Sequence, residues 1–330
     1  MSRESYNDFA LVLLHWFREN GRDLPWRQTR DPYAVWLSEI ILQQTQVKQG
    51  WDYWLRFMRR WPTVDDLAAA TEDEVLREWQ GLGYYSRARN LHTAARQIVE
   101  MGAFPTTLEG IKSLKGVGDY TAAAIGSIAF DLPVAVIDGN VYRVLARHYG
   151  IATPINTTEG RHEFAALAQS LIPISEASAY NQAIMDFGAI QCTPKSPRCL
   201  ICPLQLTCIA LRESRIEQLP TKLKTLKVKE RHLIYTYIRC QGHTAIRRRP
   251  AGDIWQGLYE PCLTDEPLPD TILLHRNQKH VLTHRILYAD FYLLETAERP
   301  PLPPDYFWIP EADIDQYAVP RLVELLLEEL

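Results

Sequence analysis

Four cysteines form the most concentrated group of reactive side chains in the sequence. Cys192, Cys199, Cys202 and Cys208 are separated by six, two and five residues. Four thiolates in one short loop can enclose a tetrahedral zinc ion or an iron–sulfur cluster. Zinc ribbons use two C-x-x-C pairs and this loop has one, so the spacing favours the cluster without excluding zinc. Four unligated buried thiols are the alternative.

A carboxyl group within an apolar stretch is the second candidate. Residues 36–46 read WLSEIILQQTQ, and the helical spacing of their apolar residues predicts a helix with Glu39 facing partly inward. A charged carboxylate is costly in such a place. Glu39 is therefore either paired with an arginine or kept protonated, because burial raises the pKa of a carboxyl group.

Two glycines and an aspartate mark a third region. The segment LKGVGDYTAAAIGSIAF predicts a tight turn at Gly116 and Gly118, with a helix from Asp119 onward. Glycine allows the backbone to approach a ligand closely, and free amides at a helix N-terminus bind anions. Further along, Asp138 precedes another predicted helix, where it would be an N-cap that stays charged.

These residues must be positioned by a mostly helical first part, residues 1 to 215. Its periodicity predicts helices over residues 67–76, 87–101, 120–130, 141–149 and 159–171. Residues 216–231 are basic, contain Pro220 and predict a linker. In residues 232–330, RHLIYTYIRC and LYADFYLLE predict strands and VPRLVELLLEEL a final helix, which indicates a smaller α+β domain.

The composition is that of an ordinary globular protein, with 46% hydrophobic and 23% charged residues and a net charge of −4. The sequence has no apolar run long enough to span a membrane and no signal-peptide pattern, so we expect a cytoplasmic protein with no membrane partner. Nine acidic and two basic residues follow position 294, so the rest of the chain is net positive. A basic face for nucleic acid is compatible with that distribution.

Together the motifs resemble a known family. Residues 114–121 resemble the helix-hairpin-helix of a DNA glycosylase superfamily, and the cysteine spacing is similar to the iron–sulfur loop of its endonuclease III branch. Within that branch, LPWRQTRDPYAVWLSEIILQQTQV, GLGYYSRARNL and NQAIMDFGAIQC resemble the adenine DNA glycosylase (MutY) family. The resemblance covers almost all of residues 8–210.

The resemblance implies a chemistry for the two carboxyl groups. Glu39 would protonate the purine, and Asp138 would stabilise the positive sugar, as in glycoside hydrolysis. Tyr120 and Asn140 match family positions near these two groups. Bifunctional relatives carry a Schiff-base lysine at the position of Tyr120, so the resemblance implies a monofunctional enzyme that leaves an abasic site.

The resemblance also implies how DNA would be held. Because the glycosidic bond is inaccessible in a stacked duplex, the nucleotide must be flipped out. The family positions for wedge and hairpin contacts to DNA are Gln44, Leu82, Tyr84, Gly116 and Gly118. Those for the adenine pocket are Arg22, Trp26, Arg27, Leu42 and Gln182. Independently of the resemblance, the lysines of the linker and Arg56, Arg59, Arg60, Lys195 and Arg198 are candidates for phosphate contacts, and solvated surface charges are the alternative for most of them.

The second part resembles the family's Nudix-like, or MutT-like, domain, which reads 8-oxoguanine opposite the adenine. RRPAGDIWQGLYE is similar to its first strand and loop, but the glutamate-rich metal-binding helix of Nudix hydrolases is absent after Glu260. The family's Phe-Ser-His recognition loop corresponds to Leu282, Thr283 and His284. Replacement of the aromatic residue by Leu282 bears on lesion affinity more than on lesion identity.

The sequence therefore predicts a helix-hairpin-helix glycosylase domain with one [4Fe-4S] cluster at residues 192–208, followed by a Nudix-like domain. The implied substrate is double-stranded DNA with an adenine:8-oxoguanine or adenine:guanine mispair. The implied enzyme is a monomer that acts on the bacterial nucleoid. Two rivals remain: an endonuclease III-like pyrimidine glycosylase with lyase activity, and a non-enzymatic DNA-binding module containing zinc.

Overall fold

The computed structural model describes residues 8–223 and 228–330, which fall into two compact units. The first unit comprises Met1–Gln46 and Ala94–Lys224, and the second comprises Val47–Thr93 and Thr225–Leu330. The bounds predicted for the glycosylase domain, the linker and the Nudix-like domain stay a prediction. Within that linker, residues 224–227 lie outside the described residues, as do residues 1–7 of the first predicted domain.

The first unit is built from helices that surround a buried apolar core. Its helices are α1 Asp8–Asn20, α2 Pro32–Ile41, the second half of α6 Ser86–Met101, α7 Leu108–Lys112, α8 Asp119–Phe130, α9 Gly139–Tyr149, α10 Thr158–Leu171, α11 Ala177–Asp186 and α12 Ile209–Arg212. A π-helix, Phe187–Gln191, continues α11. The predicted helices over 87–101, 120–130, 141–149 and 159–171 are confirmed.

Helix α2 begins where the sequence places strong start signals and ends earlier than predicted. The side chain of Asp31 accepts a hydrogen bond from the Tyr33 amide, and Pro32 occupies the first helical position. All residues from Tyr33 to Ile41 are buried. The prediction of helix over 36–46 is wrong after Ile41, since the chain turns there and Gln44 adopts a left-handed φ of +55°.

The second unit contains the remaining helices of the N-terminal half. These are α3 Val47–Arg60, α4 Val64–Ala69, α5 Glu72–Glu78 and the first half of α6. The helix predicted over 67–76 is wrong, because a break at Ala70 and Thr71 divides it into α4 and α5. Capping boxes at Thr63 with Asp66 and at Thr71 with Glu74 fix the start of each helix.

The C-terminal part of the second unit is a sheet. Among residues 228–330 its strands are β1 Lys229–Cys240, β2 His243–Arg248, β3 Tyr259–Glu260, β4 Cys262–Thr264, β5 Ile272–Val281, β6 Arg285–Thr296 and β7 Tyr306–Pro310. The strand order is β3-β2-β1-β6-β5, with β4 paired to β1 and β7 paired to β2. Strands β1 and β6 are parallel, and the other pairs are antiparallel.

The sheet buries one face against the last helix, α13 Arg321–Leu327. The core of this region combines strand residues such as Leu233 and Phe291 with Leu322 and Leu326 of α13. Both predicted strands and the final helix are confirmed, as is the fold class of a helical region followed by an α+β region. In the part of the chain that the structure describes, we find no helix with the length and apolar character needed to cross a bilayer.

Candidate active site

Glu39 lies on the buried face of α2 with 8% of its surface exposed. Burial raises the pKa of this carboxyl group to about 7; the hydrogen bond from Tyr120 opposes the rise, and the nearby Asp138 adds to it. Arg27 exerts a further lowering influence on the pKa. A group with this pKa exists in both protonation states at neutral pH, as a general acid requires.

Asp138 is the N-cap of α9, as the sequence predicted. Its Oδ1 accepts hydrogen bonds from the amides of Asn140 at 2.9 Å and Val141 at 2.8 Å. Its Oδ2 accepts one from the Asn140 side-chain amide at 2.7 Å. Burial raises the pKa of Asp138, and these hydrogen bonds oppose the rise because they stabilise the ionised form.

Tyr120 is hydrogen-bonded to Glu39 and lies within the electrostatic influence of Asp138. Its hydroxyl donates to Glu39 Oε2 at 2.9 Å and lies 3.6 Å from the sulfur of Met185. Burial raises the pKa of Tyr120, and both Glu39 and Asp138 contribute to the rise. The structure therefore brings together Glu39, Asp138, Tyr120 and Asn140, which are separated in sequence by up to a hundred residues.

Sequence reasoning missed Arg143, which holds Asn140 in place. Its guanidinium donates to Asn140 Oδ1 at 2.8 Å and to the carbonyls of Gly188 and Cys192, each at 2.7 Å. Arg143 is 8% exposed, so these bonds are protected from water. The sequence does contain a signal for this residue: Arg143 lies on the apolar face of the predicted helix, where an arginine needs hydrogen-bond acceptors.

Asp186 is a second residue that sequence reasoning missed. It is fully buried, and its carboxylate accepts hydrogen bonds from Arg22 Nε at 2.8 Å and from Arg27 Nη1 at 2.7 Å. Burial alone would raise the pKa of Asp186, but the guanidinium groups of Arg27 and Arg22 bring it below its usual value. The two arginines predicted for the adenine pocket are therefore fixed by one carboxylate.

The five residues predicted for the adenine pocket have different surroundings. Arg22, Arg27 and Gln182 line a cavity of about 490 Å³ beside Phe17 and Ser178. Trp26 is buried at 5% exposure within a 3-10 helix, Pro25–Arg27. Leu42 is half-buried at the end of α2.

The predicted hairpin is present in the first unit. Gly116 adopts a φ of +79°, which only glycine reaches without strain, and Gly118 is the N-cap of α8. A Cβ atom at Gly118 would meet nothing within 4 Å, so this helix terminus is open to a ligand. Gln44, in the same unit, is exposed.

The four cysteines of the loop influence one another electrostatically. Burial raises the pKa of Cys202 to about 11, and Cys192, Cys208 and Cys199 add to the rise, so the four thiols lie within one electrostatic neighbourhood. Arg147 donates to the sulfur of Cys192 at 3.4 Å. Yet no three ligand side chains among the described residues converge as a single metal ion requires. Four neighbouring thiols are ligands that could hold an iron–sulfur cluster or a zinc ion.

The residues predicted to read the lesion lie in the second unit. Tyr84, Leu282, Thr283 and His284 line a cavity of about 670 Å³, and the hydroxyls of Tyr84 and Thr283 are hydrogen-bonded. Tyr84 is 44% exposed with a left-handed φ of +47°. Leu82 also lines the cavity but is only 8% exposed.

The basic residues predicted to contact phosphates differ in their surroundings. Arg56 and Arg60 form ion pairs with Glu78, and Arg60 also pairs with Glu74. Arg59, Lys195 and Arg198 are exposed. Lys224 and Lys227 of the predicted linker lie outside the described residues.

Comparison with known proteins agrees with a helical region followed by an α+β region. Residues 37–170 match the HhH-GPD superfamily of base excision DNA repair proteins, and residues 234–329 match the NUDIX domain. A solved structure of a thermostable thymine-DNA glycosylase superposes with a TM-score of 0.58 and 30% identity, over 62% of this chain and 95% of that one. A trapped endonuclease III–DNA covalent intermediate superposes with a TM-score of 0.55 at 22% identity, over 62% and 94%, and shows the shared fold.

Curated relatives narrow the family. The adenine DNA glycosylase of Buchnera aphidicola subsp. Schizaphis graminum is 37% identical over 76% of this chain and 73% of its own length. The rat enzyme of the same name is 46% identical over 64% of this chain and 44% of its own length. The chain thus matches less than half the length of the mammalian relatives. At this identity and coverage, the chain belongs to the adenine DNA glycosylase family, whose members are hydrolases that act on N-glycosyl bonds.

Proposed function

We propose that this enzyme is a monofunctional glycosylase that removes adenine mispaired with 8-oxoguanine or guanine from double-stranded DNA. The observation that carries the proposal is a pair of neighbouring carboxyl groups: buried Glu39, which is hydrogen-bonded to Tyr120, and half-buried Asp138, which raises the pKa of Glu39. Glu39 has a pKa near neutrality, and Asp138 accepts three hydrogen bonds. Such a pair can supply one acid and one anion, which glycosidic cleavage requires.

Glu39 acts as the general acid. Tyr120 donates to Oε2, which leaves Oε1 to carry the proton and to face a purine nitrogen. Protonation converts adenine from a poor anionic leaving group into a neutral one, so the bond between C1′ and N9 can break. Burial of Glu39 favours the protonated form that makes this donation.

Asp138 remains the anion of the pair. The hydrogen bonds from Asn140 and Val141 fix its carboxylate and favour the charged form. As the glycosidic bond breaks, positive charge develops at C1′, and a fixed carboxylate stabilises it. Water then adds to C1′, and the proton that it releases restores the acid form of Glu39, which leaves free adenine and an abasic sugar.

Tyr120 accounts for the proposed absence of strand cleavage. A lyase needs an amine that forms an imine with C1′, whereas Tyr120 presents a hydroxyl already hydrogen-bonded to Glu39. Treatment with borohydride during the reaction should therefore trap no covalent adduct with DNA. An efficient trap would favour the endonuclease III-like rival.

The DNA-facing elements fit a flipped nucleotide. Gln44 and Tyr84 are exposed residues with left-handed backbone, a combination expected where a loop must present a side chain in a fixed direction. The open N-terminus of α8 at Gly118 suits a phosphate. We propose that Gln44 and Gly118 contact DNA from the first unit, that Tyr84 contacts DNA from the second, and that the enzyme acts as a monomer.

The lesion is read in the second unit. Thr283 and His284 are exposed and line the cavity of about 670 Å³ next to Tyr84. A hydroxyl can both accept and donate a hydrogen bond. Thr283 can therefore accept a hydrogen bond from the N–H that oxidation adds to the imidazole ring of guanine. This cavity is the proposed site for the base opposite the adenine.

Cys192, Cys199, Cys202 and Cys208 would hold a [4Fe-4S] cluster. When bound, the cluster supplies metal–thiolate bonds that cross-link the loop. The loop's own contacts, from Arg143 to the Cys192 carbonyl and from Arg147 to the Cys192 sulfur, place it against α9. Iron and sulfide analysis of the purified protein tests this assignment, and zinc in place of iron would contradict it.

The activity is tested on defined duplexes. We expect release of adenine opposite 8-oxoguanine and opposite guanine, with the adenine-containing strand cleaved only after alkali. Adenine opposite thymine should remain intact. Equal loss of adenine opposite thymine would contradict the assignment of the lesion cavity, and cleavage without alkali would contradict the monofunctional mechanism.

Two substitutions test the carboxyl pair. Glu39→Gln removes the proton donor and Asp138→Asn removes the anion, while asparagine still serves as a helix N-cap. Each should lower single-turnover excision by at least about a hundredfold. Asp31→Asn is a matched control, because Asp31 caps α2 in the same way without a role at the site. Equal activity of Asp138→Asn and Asp31→Asn would overturn the proposal.

A further inference from the structure

The lesion cavity contains a tryptophan whose backbone is strained. Trp255 lines this cavity and adopts a φ of +58°. Left-handed backbone is a genuine outlier for a bulky residue, and it persists only where the surroundings hold it. The segment between β2 and β3 therefore holds Trp255 in a strained backbone conformation that glycine would adopt without strain.

One side of the indole is fixed by the protein. The Arg249 guanidinium lies 5.7 Å from the ring centroid, and the side chain packs partly against the core of the sheet. Arg249 is itself anchored by an ion pair of 2.7 Å with Asp253 and by a hydrogen bond to the Ile254 carbonyl at 2.9 Å. Arg249 is buried and also forms an ion pair with Glu260, so the cation is fixed in place beside the indole and helps to preorganise it.

The other surroundings of Trp255 belong to the cavity. The His280 ring lies 5.8 Å from the indole at an interplanar angle of 57°, and both rings line the cavity with Thr283 and Tyr84. Burial and the nearby Arg321 lower the pKa of His280, which favours the neutral form of its ring. The cavity thus combines flat ring surfaces with the exposed hydroxyls of Tyr84, Ser86 and Thr283.

Leu282 cannot supply the flat surface itself. It is half-buried and packs against the hydrophobic core of the sheet, and its side chain has no ring. A purine held against Thr283 needs a flat apolar neighbour, because base–aromatic stacking contributes much of the affinity for an unpaired base. Trp255 is fixed, aromatic and within the same cavity.

We propose that the indole of Trp255 is the packing surface for the purine opposite the target adenine and determines the preference for 8-oxoguanine over guanine. The indole holds the base in the position where Thr283 can hydrogen-bond to its oxidised edge. This role rests on the proposed function, since it concerns the partner base of the same mispair. The indole thus supplies the aromatic contact with the base that Leu282, which has no ring, cannot make.

The test removes the indole without straining the backbone. Trp255→Gly suits the observed φ, because glycine adopts positive φ freely. Trp255→Phe keeps an aromatic ring. Trp308→Leu is a matched control: Trp308 is also half-buried in the second unit, with Arg299 4.9 Å from its ring, but it lies on β7.

Binding is measured on duplexes in which 2′-fluoro-2′-deoxyadenosine, which resists cleavage, faces 8-oxoguanine, guanine or thymine. We expect Trp255→Gly to lose about tenfold or more of the wild-type preference for 8-oxoguanine over guanine. Trp255→Phe should retain most of the preference, and Trp308→Leu all of it. Binding opposite thymine should be unchanged in every variant.

The outcomes separate this inference from the proposed function. If the wild type excises adenine and prefers 8-oxoguanine while Trp255→Gly keeps that preference, the inference is overturned and the function stands. An equal loss in Trp308→Leu also overturns it, because the effect would then be general. If the wild type releases no adenine from either mispair, the proposed function fails first.

Discussion

Glu39 titrates near neutrality because its carboxyl group is removed from water, while one hydrogen bond among the described residues supports its charged form. The donor of that bond is Tyr120, and burial outweighs it. Asp138 is half-buried, and three hydrogen bonds favour its charge. At the scale of residues, the number of donors facing each carboxyl group therefore assigns acid and anion.

The first prediction concerns pH. Excision requires protonated Glu39, so the single-turnover rate should fall by about tenfold per pH unit above a pH of about 7. At low pH the rate should fall again as Asp138 becomes protonated, and burial moves that limb above the ordinary range of an aspartate. A rate profile with adenine opposite guanine measures both limbs. A flat profile between pH 6 and pH 9, roughly the range that a general acid of this pKa controls, would contradict the role of Glu39.

The second prediction concerns stability. Since the folded protein raises the pKa of Glu39 from 4.5 to about 7, it binds the proton more tightly than the unfolded chain does, and stability falls as pH rises through this window. Glu39→Gln should remove that loss and raise the free energy of unfolding above pH 7 by roughly 3 kcal/mol.

Denaturant unfolding at acidic and at alkaline pH measures this effect. Below a pH of about 4.5 the variant should match the wild type, because Glu39 is then neutral in both the folded and the unfolded state. Glu109→Gln serves as a control at an exposed glutamate of α7. A Glu39→Gln variant that is less stable at alkaline pH would mean that the charged carboxylate is well compensated.

Single residues differ in how far the sequence predicts them. Glu39 could be identified because its apolar neighbours on α2 require it to face inward. Asp186 could not, since its partners Arg22 and Arg27 are more than 150 residues away along the chain. A carboxylate that acts through distant arginines gives no local signal.

At the scale of elements, the local sequence indicates where helices begin more clearly than where they end. The break between α4 and α5 follows from two capping boxes, Thr63 with Asp66 and Thr71 with Glu74, and periodicity alone overlooked it. The end of α2 depends instead on the left-handed conformation of Gln44, next to a hydrogen bond from Gln43 to Thr121 at 3.1 Å. That tertiary contact is not visible in the local sequence.

The third prediction concerns the π-helix that follows α11. A Cβ atom at Gly188 would lie 2.6 Å from the Cβ of Asn140, so Gly188→Ala must displace Asn140 and with it Asp138. We expect at least about a tenfold loss of excision, because misplacement of a catalytic group is costly. The free energy of unfolding should fall by about 1–3 kcal/mol from overpacking.

Gly139→Ala is the matched control for this change. Gly139 also neighbours Asn140, but a Cβ atom there would meet nothing within 4 Å. Single-turnover excision and thermal unfolding of both variants measure the difference. If Gly188→Ala lost stability but kept the wild-type rate, the contact with Asn140 would be structural alone.

At the scale of the whole molecule, the sequence predicted the helical and α+β regions but not the composition of the second unit. Helix α5 is bound to the sheet region by Tyr259, which donates to Asp73 at 3.0 Å, and by the ion pairs of Arg248 with Glu72 and Asp73. Gln80 donates to Glu324 of α13 at 2.6 Å. These partners are far apart along the chain, so no local pattern reveals them.

The fourth prediction follows from that composition. Deletion of residues 225–330 should lower the Tm of the remaining chain by at least about 5 °C, because α5 and the loop at Gln80 lose their partners. Deletion of residues 328–330, which are exposed after α13, should leave the Tm unchanged. Calorimetry on both truncated chains measures the effect, and an unchanged Tm in the longer deletion would show that α3 to α5 are stable without the sheet.

The hydroxyl bond between Tyr84 and Thr283 has a consequence for protein engineering and for divergence among relatives. One partner comes from the N-terminal half of the gene and the other from the C-terminal half, so a chimera that exchanges only residues 225–330 replaces half of a matched pair. Exchange of residues 47–93 together with 225–330 keeps both partners from one parent. Among relatives, we therefore expect a substitution at position 84 to be accompanied by a compensating substitution at position 283.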